Sequence, residues 1–209
     1  MFRISSLLFF LGFLQSQNYP DFEVLHFENP HSSSLFLHTM SEEDRFMAII
    51  DSGLDVQWHV RSNHMGLDFK VNQNYLTYYN KIEGSWILAN QMMNEVDTLM
   101  CEGSYVADYH DIQILENGNY LLQAYDSSFV DMSTIIDGGQ SVAWITGILV
   151  IQMFDINHEL ISEWNAWDHL DISQYTNLNL QSDAIEWMHG NSIEWVGNNQ
   201  ILVSNRASN

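Results

Sequence analysis

Three stretches of this sequence repeat one design, and the repetition restricts the chain to an array of hairpins. Residues 110–126 read HDIQILENGNYLLQAYD. Ile112 and Ile114 alternate with Asp111 and Gln113, the period-two pattern of a half-buried strand. Asn117-Gly118 then supplies the positive φ that a hairpin turn needs, and the apolar run 120–125 returns as the partner strand. Residues 64–79, HMGLDFKVNQNYLTYY, and residues 189–206, HGNSIEWVGNNQILVSNR, follow the same plan. In each copy a histidine leads the first strand, and a turn bearing Asn or Gly comes eight to ten residues later.

A second class of hairpin separates these copies. A short strand at 34–38 comes first, then strands at 46–51 and 56–60 around a turn at 51–55. The run LVIQMFD, a turn at 156–159 and LISEW form a similar unit over 149–164, and a weaker one spans 86–101. Alternating outer and inner hairpins build four-stranded antiparallel sheets. The inner copies at 64 and 110 start 46 residues apart, which suits one propeller blade. The predicted fold class is therefore all-β, a β-propeller of four-stranded antiparallel blades over residues 18–209. The third inner copy starts 79 residues after the second, and the excess falls in insertions at 127–143 and 165–186. Long insertions in a compact repeat are commonly functional loops. Helical periodicity is weak, with a turn or two of helix expected near 168–175. Three to four blades fit in this length, near or below what a closed ring needs, and open end sheets would expose raw edges. The chain is thus expected to be a piece of a larger propeller.

Residues 1–17 read as a secretory signal: Arg3 gives a positive start, and residues 7–14 form an apolar run too short to span a bilayer. A secreted or periplasmic protein is implied, with no later membrane-spanning segment. Cys101 is the single cysteine, so no internal disulfide forms, and its place after Leu99-Met100 marks it as a buried hydrophobe. The formal net charge is −21, from 6 Lys plus Arg against 27 Asp plus Glu. That balance disfavours nucleic acid and anionic membranes as partners. With so few cations, each one near a pocket is informative.

Histidines at equivalent positions carry the chemical signal. The innermost strands of a propeller line its central channel, so residues at one end of successive inner strands converge. His110 and His189 hold that position; His64 is displaced by about one residue through Met65-Gly66. Any one of these histidines taken alone reads as structural, and their register is what raises the functional reading. Arg206 closes the hairpin that His189 opens, so antiparallel pairing makes the two neighbours. A guanidinium beside imidazoles can clamp an oxyanion; the plainer role is a salt bridge to an acidic side chain. His169, in the second insertion, is a candidate rim residue. Three imidazoles could hold zinc, but there is no HExxH or His-x-His pair, and a nearby guanidinium repels cations; no metal is expected. Neither a Gly-rich phosphate loop nor GxSxG occurs, so no cofactor is implied. Trp164, Trp167, Trp187 and Trp195 cluster around the second insertion, mostly as core residues, with one or two able to wall an aromatic substrate.

Several of these segments resemble the bacterial arylsulfate sulfotransferases: HDIQILENGNYLLQAYD, the Asp-Gly-Gly loop followed by VIQMFD, EWNAWDHLDI and, most specifically, WMHGNSIE…ILVSNR. The resemblance spans roughly residues 30–209. It implies a six-bladed propeller that moves a sulfuryl group from a phenolic sulfate ester to a phenol through a sulfated histidine, without a nucleotide sulfate donor. It also implies that His110, His189 and Arg206 bind and polarise the sulfuryl group; His64 and His169 stand beside them as substrate-binding candidates by their place in the chain alone. The family's attacking histidine lies in a later blade, so the resemblance gives these 209 residues supporting roles. Two competing readings are a non-catalytic secreted propeller that binds a protein or glycan, and a metal-dependent, lactonase-like propeller.

Overall fold

The computed structural model describes residues 19–29, 31–39, 45–62 and 64–207. The signal segment expected at 1–17 lies outside the described residues. Four sheets follow one another along the chain. The first holds β1 (Leu35–His38), β2 (Phe46–Ile50) and β3 (Val56–Arg61). The second holds β4 (Met65–Asn72), β5 (Tyr75–Asn80), β6 (Ser85–Ala89) and β7 (Glu95–Leu99). The third holds β8 (Ala107–Ile114), β9 (Tyr120–Val130), β10 (Ala143–Phe154) and β11 (Leu160–Asn165). After a short helix α1 (Ala166–His169) and the three-residue strand β12 (Ala184–Glu186), β13 (Gly190–Gly197) and β14 (Gln200–Asn205) form the fourth.

The chain is thus all-β; its second sheet is four-stranded antiparallel, as the hairpin alternation predicts, and the third has the same four antiparallel strands with β12 added as a fifth. The outer two differ: among the described residues the first has three strands and the fourth has two. A further departure is β12, which pairs in parallel with β10 (Ile145 opposite Ile185), where the hairpin pattern predicts antiparallel pairing only. The insertion at 127–143 is strand only at its two ends, because β9 runs on to Val130 and β10 begins at Ala143, with a 3₁₀ turn at Met132–Thr134 between them. The helix expected near 168–175 is split between α1 and a 3₁₀ turn at Ile172–Gln174.

One turn chemistry recurs in the outer hairpins. Asp51, Asn90 and Asp155 each accept, through the side-chain oxygen, the main-chain N–H groups two and four residues ahead, at 2.8–3.1 Å. The residue three ahead (Leu54, Met93 or His158) takes a φ of 62–71°. The turn between β8 and β9 has the same shape, with Gly118 at φ 86° and the bonds Leu115 N–H to Asn119 O and Gly118 N–H to Leu115 O. Gly118 alone carries the positive φ there, so this is a one-residue αL turn. The two-residue form with both central φ positive occurs instead at Asn198-Asn199, with φ 53° and 57°.

The sheets stack face to face, and alternate side chains serve alternate interfaces. Tyr78, Ile87 and Ala89 face Met47 of the first sheet, while Tyr79, Trp86, Leu88 and Leu99 pack on Ile112, Ile114, Leu122 and Phe154 of the third. Leu121, Ile151 and Met153 turn the other way, towards Ile193 and Trp187. Sheets buried on both faces need continuous apolar runs, which explains Trp86–Ala89 and Leu121-Leu122.

Along the inner edge, side chains bridge strands that are not paired. Asn72 donates to Ile112 O (2.9 Å) and accepts from Ile114 N–H (3.2 Å), joining β4 to β8. Asp111 accepts from Ile193 N–H (2.8 Å), and Gln113 accepts from Trp195 N–H, joining β8 to β13. Lys70 reaches across to Asp111 and also pairs with Asp68. Burial works against the Lys70 ammonium, but its hydrogen bonds to Asp111 and Asp68 outweigh that and raise its pKa.

Candidate functional site

Each inner hairpin carries a register break at its histidine-bearing end. In β8 the ladder to β9 passes from Ala107 opposite Ala124 directly to Ile112 opposite Leu122, so residues 108–111 bulge out of the pairing. Similar breaks fall at Met65–Lys70 in β4 and at Gly190–Ser192 in β13. Bulges re-aim side chains, and here the break around His110 turns its ring towards His189. The two Nε2 atoms are 3.4 Å apart, with ring centroids 4.9 Å apart in a T-shaped arrangement.

His189 arrives by a different route. Gly147, at φ 66°, breaks the register of β10 between Ile145 and Ile148. Just ahead of that point β12 runs beside Trp144–Thr146 of β10, and Trp187 N–H and Met188 N–H bond to Thr146 O (2.9 Å) and Gly147 O (3.2 Å). The second insertion therefore delivers Glu186 and His189 to the pocket. A Cβ on Gly147 would lie 2.4 Å from Met188 O. Gly147→Ala is expected to lower the unfolding free energy by about 1–3 kcal/mol through αL strain and that clash, read as a lower urea midpoint at unchanged slope.

Arg206 meets His189 as the pairing predicts. Arg206 N–H donates to His189 O at 2.8 Å, and Arg206 Nη2 lies 3.1 Å from His189 Nδ1. Glu186 Oε1 is 2.8 Å from the same Nδ1 and 3.7 Å from Arg206 Nη2. On the other ring, His110 Nδ1 is 2.8 Å from Asp108 Oδ1. Tyr109 stacks on His110 with centroids 4.2 Å apart, and Tyr125 O–H donates to Gly190 O at 3.0 Å. Burial, reinforced by the Asp108 carboxylate, raises the Tyr125 pKa well above the usual phenol range, so it stays a neutral donor. Together Asp108, Tyr109, His110, Tyr125, Glu186 and His189 line a cavity of about 340 Å³, closed by Thr146, Gly147 and Met188. That volume lies within the roughly 300–1,000 Å³ typical of small-molecule sites.

The other sequence candidates lie elsewhere. His64 is exposed just ahead of β4, and His169 stacks on Trp164 with centroids 5.6 Å apart; neither lines this cavity. Trp187 is fully buried, packed edge-on against Trp167 and Tyr175. Trp164 and Trp195 line a larger cavity of about 510 Å³ between β9–β11 and the β13–β14 hairpin, whose walls are mainly Leu121, Ile151, Met153, Ile201 and Val203. It lacks histidine, whereas the smaller cavity is lined by two. The aromatic walls there are Tyr109 and Tyr125 rather than tryptophan. Cys101 is partly buried beside the second core cluster, and burial, followed by the Glu163 and Asp108 charges, pushes its thiol up to about 12. That makes it a poor nucleophile. Among the described residues no group of three or more His, Cys, Asp or Glu is arranged to hold a metal ion. No helix among them is long and apolar enough to cross a membrane.

Stacked sheets whose histidine-led hairpins bring two imidazoles to one cavity, with the Arg206 guanidinium against the second ring, define the class of this all-β protein. Within that class the chain can be placed: residues 23–209 match the family model for arylsulfotransferase (ASST), and the protein belongs to that family. No curated protein matches it significantly.

Proposed function

We propose that this protein takes part in sulfuryl transfer from an aryl sulfate ester to a phenol, with His110, His189 and Arg206 as the cationic donors around the sulfuryl oxygens. Family membership supports the reaction class. The observation that carries the assignment to these residues is the 3.4 Å approach of the His110 and His189 rings with Arg206 against the second ring. Sulfuryl transfer gathers negative charge on the nonbridging and leaving oxygens, and fixed donors aimed at those oxygens lower the barrier. An imidazolium can also hand a proton to the departing phenolate near neutral pH. Tyr109 and Tyr125 supply aromatic surface for the ester's ring.

In this reading the transfer has two steps, through a sulfohistidine. The attacking imidazole comes from a blade outside residues 1–209, in a six-bladed ring of which the sheets described above are part. A secreted or periplasmic setting, no nucleotide donor and no nucleic-acid partner go with it. The test compares the 209-residue chain with the polypeptide extended by its own downstream coding sequence, using a fluorogenic aryl sulfate with and without a phenol acceptor. Acceptor-dependent release with ping-pong kinetics is expected from the extended polypeptide alone. Robust turnover by the 209 residues would place the nucleophile among His64, His110, His169 and His189. No turnover by either, with the ester still bound, would favour a binding protein.

A further inference from the structure

Asp108 is a carboxylate at the start of β8 with only 8% of its surface exposed. Its Oδ1 collects three bonds: from His110 N–H (2.9 Å), from Gln123 Nε2 (3.0 Å) and from His110 Nδ1 (2.8 Å). The first is an obligate donor. So is the second, because Gln123 Nε2 lies between two acceptors, Asp108 Oδ1 and Gly190 O (3.5 Å), and its amide oxygen would meet only repulsion there. Gly190 is needed for this approach, since a Cβ would sit 2.5 Å from Gln123 Oε1. The main chain of Asp108 is held as well: Trp86 Nε1–H donates to Asp108 O (3.0 Å), and Tyr79 O–H donates to Ala107 O (2.6 Å). An ionised oxygen held in this way can only accept, so the hydrogen of the His110 ring belongs on Nδ1.

The consequence lies at the other nitrogen. With the hydrogen on Nδ1, Nε2 of the neutral His110 ring is bare and faces His189 Nε2 at 3.4 Å. An acceptor cannot bind a sulfuryl oxygen. To serve as a donor, His110 must gain a proton at Nε2, and the Asp108 carboxylate is the charge that stabilises the resulting imidazolium. We propose that Asp108 is the positioning residue of this cavity: it fixes His110 in the Nδ1–H form, so that the ring takes up one proton from solvent at Nε2 when a sulfate ester or sulfate ion enters and donates it to that anion.

This rests on the proposed function for the class of anion, though the tautomer does not depend on it. The charged and titratable groups around the ring are Asp108 and Tyr109 on its own strand, Asp68 on β4, Tyr125 on β9, Glu186 on β12, and His189 with Arg206 behind it. Lys70 and Asp111 form the ion pair next along.

Two measurements on the 209-residue chain test the proposal. Long-range ¹H–¹⁵N correlation of the imidazoles is expected to show His110 with a hydrogen on Nδ1 and a bare Nε2 before ligand, and hydrogens on both nitrogens with sulfate bound. Calorimetry with inorganic sulfate, in buffers of different ionisation enthalpy, is expected to report uptake of about one proton. Asp108→Asn keeps the shape and one acceptor but removes the charge; it is expected to abolish most of the uptake and weaken sulfate about tenfold. A bare Nδ1 in the wild-type spectrum would overturn the proposal. So would absence of sulfate binding, sulfate binding without proton uptake, or unchanged uptake in Asp108→Asn. The wild-type spectrum decides the tautomer even if the variant fails to fold. If the tautomer and uptake hold but the extended polypeptide transfers nothing, the transferase reading falls and this one stands.

Discussion

Replacing Trp86 with alanine is expected to destabilise the protein by about 3–5 kcal/mol, the usual cost of emptying a buried tryptophan site. Trp86 is fully buried on β6, between the second and third sheets, against Tyr79, Leu99, Ile112 and Leu122. The surrounding strands are held in their ladders, so the gap cannot close by collapse. The change also removes the donor to Asp108 O, leaving a buried carbonyl without its partner, which costs about 1–3 kcal/mol on its own. Urea unfolding checks the sum. Trp86→Phe separates the parts, because it refills most of the volume and still loses the bond. Retention of full stability by Trp86→Ala would mean that the two sheets do not depend on this contact.

Replacing His189 with alanine is expected to cost sulfuryl transfer about 2.7–4 kcal/mol, or 10²–10³ in kcat, as for other single oxyanion donors. The measurement belongs in the extended polypeptide of the proposed assay. The ring faces His110 through Nε2 and contacts Glu186 and Arg206 through Nδ1, so its removal also loosens Arg206. A donor that acts chiefly on charge developing in the transition state lowers kcat and kcat/KM together. A rise in KM with kcat intact would instead mark His189 as a ground-state anchor for the ester.

The hairpin order is legible in the sequence because its determinants are local. Asn117-Gly118 and Asn198-Asn199 announce turns, and alternation such as Ile112/Ile114 sets which side of a strand is buried. The turn chemistry of Asp51, Asn90 and Asp155 is equally local, and would have ranked the hairpin at 86–101 with the others. His189 and Arg206 could be brought together on paper because antiparallel pairing joins the ends of a hairpin, and His110 because it holds the equivalent place in its own hairpin. Their partners could not. Asp108 stands two residues before His110 and Glu186 three before His189, yet nothing marks them among 27 carboxylates. What selects them is a pair of register breaks, at residues 108–111 and at Gly147, and a bulge depends on pairing between strands that no single strand's pattern reveals. The parallel placement of β12 is hidden for the same reason.

The bridges from Asn72, Asp111 and Gln113 have a consequence for how the sheets are joined. The main-chain amides of Ile114, Ile193 and Trp195 are each capped by a side chain from the neighbouring sheet. Their exchange with solvent deuterium thus reports whether adjacent sheets are docked, while amides within each ladder report whether a sheet is formed. Three positions, one on the seam between β4 and β8 and two on that between β8 and β13, separate assembly of the array from folding of its parts.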